Sequence, residues 1–223
     1  MTCTPQEFWA ARLGCAVEAL AGPGLTLLDR ADDAVFVVAS ASGVVAAAPR
    51  ALHGAFERAG DPHALVAWDV LRSLVPAGAR SVGAAWIGYT LRAAGSTEGV
   101  RRVESANDAA LAPLRAGVTE EEWRHANLES AEPPLFGCAE AGALVSASGY
   151  QRLLDRVAHI GVVTSAACRG RAAGRRAVAA ALELALERGL LPQYQTLVAN
   201  TPARRIADAL GFAHFATTLG ARW

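Results

Sequence analysis

The stretch VAHIGVVTSAACRGRAAGRRAVAAALELALERG, residues 157–189, decides the fold of this chain. Its first residues are mostly apolar and β-branched, which predicts a buried strand over 157–165. Residues 169–174 are arginines and small residues, which favour a loop. From residue 176 onward apolar side chains recur at helical spacing until Gly189, a typical stop signal, so we predict a helix over 176–189. The unit is therefore a strand, a basic loop and a helix.

This loop has the residue types of an anion-binding site. The first turn of a helix presents unpaired backbone N–H groups and the positive end of the helix dipole. Small residues let an anion approach that backbone closely, and arginines add charge and fork-shaped donors. From these residues alone the alternative is an ordinary turn with a solvated basic face. The small residues are Gly170, Ala172, Ala173 and Gly174, and the arginines are Arg169, Arg171, Arg175 and Arg176.

The charge distribution limits the class of ligand. All 21 basic residues are arginine, which excludes classes that need a lysine, such as Walker A nucleotide sites and pyridoxal-phosphate enzymes. The formal net charge is zero, with −2 in residues 1–100, −3 in residues 101–160 and +5 in residues 161–223. A neutral chain with one concentrated basic loop indicates a small anionic ligand and argues against nucleic acid as a partner.

Cysteine usage and the first residues predict the compartment. The four cysteines (Cys3, Cys15, Cys138 and Cys168) lack metal-ligand spacing, so we expect a reducing compartment and no metal site. Residues 1–14 lack a basic region followed by an apolar one, so we expect no secretory signal. No uninterrupted apolar stretch approaches the roughly 20 residues of a membrane span, so we expect no membrane partner. The predicted location is cytoplasmic.

The rest of the chain reads as mixed α/β. A polar segment over 93–108 places a domain boundary near residue 100, with an N-terminal α/β domain of unknown role over 1–100 and a second domain over 101–223. In the first we predict helices over 5–20, 50–60 and 63–75, and strands over 25–29, 34–40, 43–49 and 81–91. In the second we predict helices over 108–117, 119–129 and 202–211, a hairpin over 133–153 that turns at 140–142, and strands over 194–200 and 212–222.

Two motifs make the chain similar to a known family. Arg169, Ala172 and Gly174 occupy the fixed positions of Q/R-x-x-G-x-G/A, the acetyl-CoA motif of GCN5-related N-acetyltransferases (GNAT). One helix and one strand later, Asn200-Thr201-Pro202-Ala203 and Leu210-Gly211-Phe212 resemble the family's N-x-x-A and L-G-F blocks. The resemblance covers about residues 100–223. It implies a central mixed β-sheet flanked by helices, and residues 1–100 have a pattern that fits a degenerate second half of this kind.

The resemblance also implies an acetyl-CoA site. In the family the strand before the loop splays from its neighbour, and its free backbone groups bind the pantetheine amides. Here that strand would supply Val162, Val163 and Thr164. The N–H groups from Gly170 to Arg175 would bind the pyrophosphate, and Asn200 would contact the cofactor arm.

The implied reaction is direct attack of a primary amine, from a small molecule or a peptide, on the acetyl group. His159 is the candidate base, because an imidazole can deprotonate an ammonium near neutral pH. Tyr194, which opens the next strand, is a second candidate for proton transfer. The alternative for both is structural: a histidine satisfied on a buried strand and a tyrosine used in packing. Tyr150, His125 and Glu122 are further candidates for the acceptor side, with surface or capping roles as their alternatives.

Two departures from the family pattern leave a second hypothesis open. Ala172 replaces the central glycine, which we expect a helix-start φ below zero to tolerate. Ala207 stands seven residues after Asn200, where many members carry a tyrosine that protonates the departing thiolate, and we expect it to face the cleft. The second hypothesis is a non-catalytic acyl-CoA-binding module. The oligomeric state stays open, with a homodimer as one alternative.

Overall fold

The computed structural model describes residues 3–223, which form two compact units of mixed α/β structure. The predicted division into domains 1–100 and 101–223 stays a prediction, because compactness does not test whether either part folds alone. The first unit comprises Thr4–Gly88, Thr196–Thr201 and His214–Trp223. The second unit comprises Cys3, Tyr89–Gln195 and Pro202–Ala213.

Eight helices and ten strands, with short 3₁₀ turns between them, make up the described chain. The helices are α1 Pro5–Leu13, α2 Glu18–Ala21, α3 His53–Glu57, α4 Trp68–Leu74, α5 Ala112–Ala116, α6 Glu120–Ala126, α7 Ala173–Glu187 and α8 Thr201–Ala209. The strands are β1 Leu25–Asp29, β2 Ala34–Ser40, β3 Val44–Ala48, β4 Ala85–Tyr89, β5 Val100–Val103, β6 Glu132–Glu140, β7 Ala143–Leu153, β8 Val157–Thr164, β9 Leu191–Leu197 and β10 Ala213–Arg222. No helix within residues 3–223 has both the length and the apolar character that a membrane span requires.

The first helix is shorter than predicted. A capping box begins α1: the Thr4 hydroxyl accepts from the Glu7 N–H at 3.2 Å, and the Glu7 carboxylate accepts from the Thr4 N–H at 2.8 Å. Gly14 then takes the left-handed conformation with φ of 70°, which ends the helix. The single helix predicted over 5–20 is therefore wrong, and the structure has α1 and α2 instead.

The first unit has the strand order β1-β3-β2-β10-β4. The β2–β3 hairpin is antiparallel, β1 pairs parallel with β3, and β10 pairs antiparallel with β2. Helices α3 and α4 supply part of the apolar core. Its fully buried members include Val37, Val44, Phe56, Leu65 and Leu71.

The second unit has the strand order β9-β8-β7-β6-β5. The predicted β6–β7 hairpin is confirmed, and its turn contains Ala141 and Gly142, both with positive φ. Strand β5 lies in the polar segment predicted to be a linker. Its Val103 pairs with Leu135 of β6 and is 3% exposed, so one buried valine ties this segment to the sheet.

The two faces of this second sheet carry different helices. Helices α5 and α6 cover one face through a core that includes Leu114, Trp123, Leu128 and Val163. Helix α7 packs against β6, β7 and β8. The side chains of a strand alternate between faces, so residues 159, 161 and 163 of β8 share the face of α6.

Candidate functional site

Strand β8 loses one of its two neighbours halfway along its length. It pairs antiparallel with β7 over its whole length, from Val157 opposite Leu153 to Thr164 opposite Ser146. Its parallel pairing with β9 extends only from Val157 to Ile160, which lies opposite Tyr194. On the side away from β7, no residue of the described chain pairs with residues 161–164. Pairing with β9 therefore ends four residues before β8 itself ends at Thr164.

Two buried serines show which backbone groups of β8 face β7. Ser146 donates its hydroxyl hydrogen to the carbonyl of Val163 at 2.8 Å, and Ser148 donates to the carbonyl of Gly161 at 2.7 Å. Neither serine is exposed to solvent. Because successive residues of a strand direct their backbone groups to opposite sides, residues 162 and 164 direct theirs away from β7.

The backbone of Val162 and Thr164 therefore faces the gap left by β9. The carbonyl of Thr164 already accepts from Arg169 Nε at 3.2 Å. The groups left for a ligand are the N–H and C=O of Val162 and the N–H of Thr164. Val163 was predicted to share this role, but its backbone faces β7 and its side chain is 5% exposed in the core under α6.

The start of α7 presents a run of unpaired donors. The first N–H with an acceptor is that of Arg176, which donates to the Ala172 carbonyl at 3.0 Å. Ala172 is the N-cap residue and caps no N–H group with its side chain. Within residues 3–223, the N–H groups of residues 170–175 have no acceptor. An added Cβ at Gly170 would meet no atom within 4 Å, so the space beside this backbone is open. These features fit a bound anion.

Ala172 has a backbone conformation that normally selects glycine. Its φ is 63° and its ψ is 4°, in the left-handed region, so the expectation of a φ below zero is wrong. A left-handed conformation costs a non-glycine residue about 1–2 kcal/mol. The glycine that the family motif carries here would avoid this cost.

Position 174 has room only for glycine, because α7 packs closely against the sheet at this point. It is buried, and an added Cβ would lie 2.8 Å from Thr164 Oγ1 and 3.6 Å from Ser146 Oγ. The neighbouring Ala173 is also buried. Gly174 therefore holds the donors of α7 beside β8, and any larger residue would disturb the helix as well as a ligand.

Two arginines of the loop form ion pairs with carboxylates. Arg169 donates to Glu122 on α6, and Arg171 donates to Glu140 at 2.9 Å. The N–H of Thr119, and then the Arg169 guanidinium, lower the pKa of Glu122. Arg175 is exposed in the first turn of α7. An anion at the loop must compete with two carboxylates for Arg169 and Arg171, and sequence patterns did not indicate this competition.

His159 lies on the paired half of β8, on the face that α6 covers. Its Nδ1 atom is 2.9 Å from Oε1 of Gln193, which lies opposite it on β9. The Gln193 side-chain amide also donates to the Tyr89 hydroxyl. Gln193 is 2% exposed and Tyr89 is 6% exposed, whereas His159 is partly exposed. Sequence patterns did not indicate Gln193 as a partner of His159, because only the β8–β9 register places the two opposite each other.

The two tyrosines considered for the site are buried. Tyr194 is 2% exposed, and its ring centroid lies 5.5 Å from that of Phe212. Burial raises the pKa of Tyr194 strongly, which opposes ionisation near neutral pH. The Tyr150 hydroxyl accepts from Arg188 at 2.6 Å, and burial raises its pKa as well. Burial of Tyr194 favours its packing alternative, whereas the surface or capping role given as the alternative for Tyr150 is wrong, because Tyr150 is 1% exposed.

The remaining candidates occupy separate positions. Asn200 is exposed, belongs to the first unit and donates its N–H to the Leu197 carbonyl at 2.9 Å. Ala207 has no exposed surface, so the expected position facing an open cleft is wrong, and a tyrosine there would have to displace its neighbours. His125 is exposed on α6. Glu122 forms a capping box with Thr119, which agrees with the capping role given as its alternative.

The two cavities described for the chain lie away from the residues predicted for the site. Two surface cavities of about 250 and 270 Å³ lie beside the edge strand β5, and both include Arg102. Neither is lined by a residue predicted for the site. Among residues 3–223, no group of three or more His, Cys, Asp or Glu side chains is placed to hold a metal ion.

Comparison with known proteins identifies the family. The model of the acetyltransferase (GNAT) family matches residues 89–212, more than half of the sequence. The chain therefore belongs to the GNAT acetyltransferase family, whose fold agrees with the large mixed sheet and flanking helices. A search of the curated proteins found no match.

Several solved structures are similar to this chain. A putative GNAT acetyltransferase from Novosphingobium aromaticivorans is 18% identical, with a TM-score of 0.48 over 66% of this chain and 68% of its own. A GCN5-related N-acetyltransferase from Kribbella flavida is 22% identical, with a TM-score of 0.47 over 69% and 62%. A putative acetyltransferase from Salmonella typhimurium, solved with its cofactor acetyl-CoA, is 14% identical, with a TM-score of 0.41 over 55% and 91%.

Proposed function

We propose that this chain transfers an acetyl group from acetyl-CoA to a primary amine by direct attack in a ternary complex. The observation that carries the proposal is the end of β8–β9 pairing at Ile160, just before the loop that begins α7. Backbone donors of the unpaired half of β8 and of the helix start follow each other closely along the chain. An extended ligand with amides at one end and a pyrophosphate at the other matches this order of donors.

In this proposal the backbone binds most of the co-substrate. Val162 pairs with the pantetheine amides through its N–H and C=O, as β9 would if it continued. The N–H groups of residues 170–175 bind the pyrophosphate, helped by the helix dipole and by Arg175. Arg169 and Arg171 exchange Glu122 and Glu140 for phosphate oxygens. The contact of Asn200 with the cofactor arm stays a prediction from the family resemblance.

The chemistry needs two proton transfers. His159 takes a proton from the ammonium form of the acceptor, so the neutral amine can attack the acetyl carbon. A backbone N–H of the unpaired half of β8 stabilises the negative charge on the carbonyl oxygen. The new C–N bond forms and the C–S bond breaks. The nitrogen loses its second proton as the amide forms, and the departing thiolate takes up one proton, so the products are the amide and the free thiol of CoA. Tyr194 is the residue predicted to take part in this second transfer.

A second candidate function is an acyl-CoA-binding module without catalysis. The observation in its favour is that Ala207 replaces the expected tyrosine and is buried, while Tyr194 is buried with a raised pKa. This leaves the thiolate without an evident acid. The cytoplasmic location predicted from the spacing of the cysteines stays a proposal for either function.

Thiol release separates the two functions. Acetyl-CoA is incubated with the protein and with butylamine, spermidine or a lysine-containing peptide, and free thiol is measured with a chromogenic disulfide. CoA binding is measured in parallel by calorimetry. Amine-dependent release supports the transferase, and binding without release for any amine supports the module. If CoA does not bind at millimolar concentration, both functions are wrong.

A further inference from the structure

A row of polar side chains crosses three strands of the second sheet. Gln151 of β7 lies opposite His159 of β8, which lies opposite Gln193 of β9. Neighbours in register direct their side chains to the same face, so all three share the face that α6 covers. Gln193 reaches one further residue, because its amide donates to the Tyr89 hydroxyl.

The buried amide of Gln193 has a defined orientation. The amide nitrogen of Gln193 donates to the Tyr89 hydroxyl. The amide oxygen therefore faces His159 and lies 2.9 Å from its Nδ1 atom. An amide oxygen accepts hydrogen bonds and cannot donate. Because Gln193 is only 2% exposed, water cannot readily replace Tyr89 or His159 as its partner. Leaving the oxygen of Gln193 without a donor would therefore destabilise the protein. The neutral imidazole satisfies this oxygen only if its proton is on Nδ1.

The glutamine on the other side of His159 is held by a different partner. Asn127, which ends α6 with a φ of 51°, donates its side-chain amide to Gln151 Oε1 at 3.0 Å. The oxygen of Gln151 is therefore turned toward Asn127. Of the two glutamines beside His159, only Gln193 has its oxygen directed at the imidazole.

We propose that Gln193 and Tyr89 are positioning residues that fix His159 in the Nδ1–H tautomer and leave the lone pair on Nε2. Tyr89 orients the amide of Gln193, and Gln193 orients the ring. This deepens the proposed function and rests on it in one respect, since Nε2 becomes the atom that takes the proton of the amine acceptor. The tautomer itself is a property of the protein without substrate.

The tautomer can be read directly from the full-length protein. Long-range ¹H–¹⁵N correlation spectra of ¹⁵N-labelled protein distinguish the protonated ring nitrogen, at a pH where the ring is neutral, and His159→Gln assigns the signal. We expect Nδ1–H in the wild type. Gln193→Leu should shift the ring mainly to Nε2–H, the form that free histidine prefers, and Tyr89→Phe should give a mixture. Gln151→Leu is the matched control and should leave Nδ1–H unchanged.

Turnover provides an independent readout. With butylamine as acceptor, Gln193→Leu should lower kcat about tenfold, the loss expected for one buried hydrogen bond, with an unchanged KM for acetyl-CoA. The proposal is overturned if His159 of the wild type carries its proton on Nε2. It is also overturned if His159 keeps its proton on Nδ1 in both Gln193→Leu and Tyr89→Phe. If Gln193→Leu does not fold, the nearly isosteric Tyr89→Phe decides. If the tautomers change as expected but no amine is acetylated, the positioning stands and the proposed transferase function falls.

Discussion

The two halves of β8 differ in how they are held and in what they offer. From Val157 to Ile160 the strand pairs on both sides, and its His159 side chain bonds to a residue of the next strand. From Gly161 to Thr164 it pairs with β7 alone, and its backbone groups face a gap. One strand thus presents a hydrogen-bonded side chain in its paired half and unpaired backbone groups in the other half.

This difference teaches where substitutions should act. In the proposed site the paired half contributes a side chain to the chemistry, so a substitution at His159 should change the reaction and leave cofactor binding intact. In the unpaired half and the loop after it, the groups proposed to bind the ligand belong to the backbone. Side chains there act by controlling backbone position and charge. The predictions below test this separation.

The largest effect is expected at His159. His159→Gln keeps a polar side chain but removes the base, so kcat for thiol release with a reactive amine should fall about a hundredfold. The dissociation constant of CoA, measured by calorimetry, should stay within twofold, because the backbone donors are untouched. His125→Gln, an exposed histidine on α6, is the control and should retain activity. Equal losses in kcat and in CoA affinity would contradict the separation.

Gly161 marks the junction of the two halves. An added Cβ would lie 1.9 Å from the backbone oxygen of Ala126, so Gly161→Ala must displace the end of α6. We expect the free energy of unfolding to fall by about 2 kcal/mol, as for other overpacked cores. Urea denaturation measures this, with Gly78→Ala as the control, since an added Cβ at Gly78 meets nothing within 4 Å. Equal stability of the two variants would show that α6 does not rest on β8 at this point.

Charge at the loop should affect binding alone. Arg175→Glu reverses an exposed charge in the first turn of α7 and should weaken CoA binding about tenfold, the loss expected for one charge-assisted contact. Stability should change little. Arg72→Glu, an exposed arginine on α4, makes the same charge change elsewhere and should leave affinity unchanged. Similar losses in both variants would mean that net charge, and not the loop, controls binding.

The smallest effect is expected at Ala172. Ala172→Gly removes the strain of a left-handed alanine but adds chain entropy to the unfolded state, for a net stabilisation of about 0.5–1 kcal/mol. Ala11→Gly, at an exposed position within α1, should instead lower stability by about 1 kcal/mol. Thermal unfolding of the two variants compares them directly. A loss of stability in both would argue against strain at Ala172.

Much of the fold was predictable from local patterns. The strand, loop and helix over 157–189 follow from apolar periodicity and a glycine stop. The observed helix α7, Ala173–Glu187, begins three residues before the predicted start and ends two residues before the predicted end. The β6–β7 hairpin follows from its turn residues. Strand β5 could not be predicted this way, because its sequence has two arginines and only one buried valine and so shows no run of apolar residues. Gly14 ended a helix early through its own backbone conformation, which apolar spacing does not report.

The site was less predictable, because it depends on register and on backbone dihedral angles. The motif located the loop, but only the pairing of β8 distinguishes Val162, which faces the gap, from Val163, which faces β7. Gln193 lies 34 positions from His159 along the sequence, and only the β8–β9 register makes them partners. The φ of Ala172 depends on how the loop enters α7. These properties arise from long-range pairing and chain geometry, which residue types do not encode locally.

Hydrogen–deuterium exchange with and without CoA tests the central claim most directly, namely that the unpaired half of β8 and the start of α7 bind the co-substrate through their backbone. At saturating CoA we predict slower exchange in peptides covering residues 161–175. Peptides from the first unit covering β2 and β3 should exchange as they do without CoA. Saturated CoA binding with unchanged exchange over 161–175 would contradict the account.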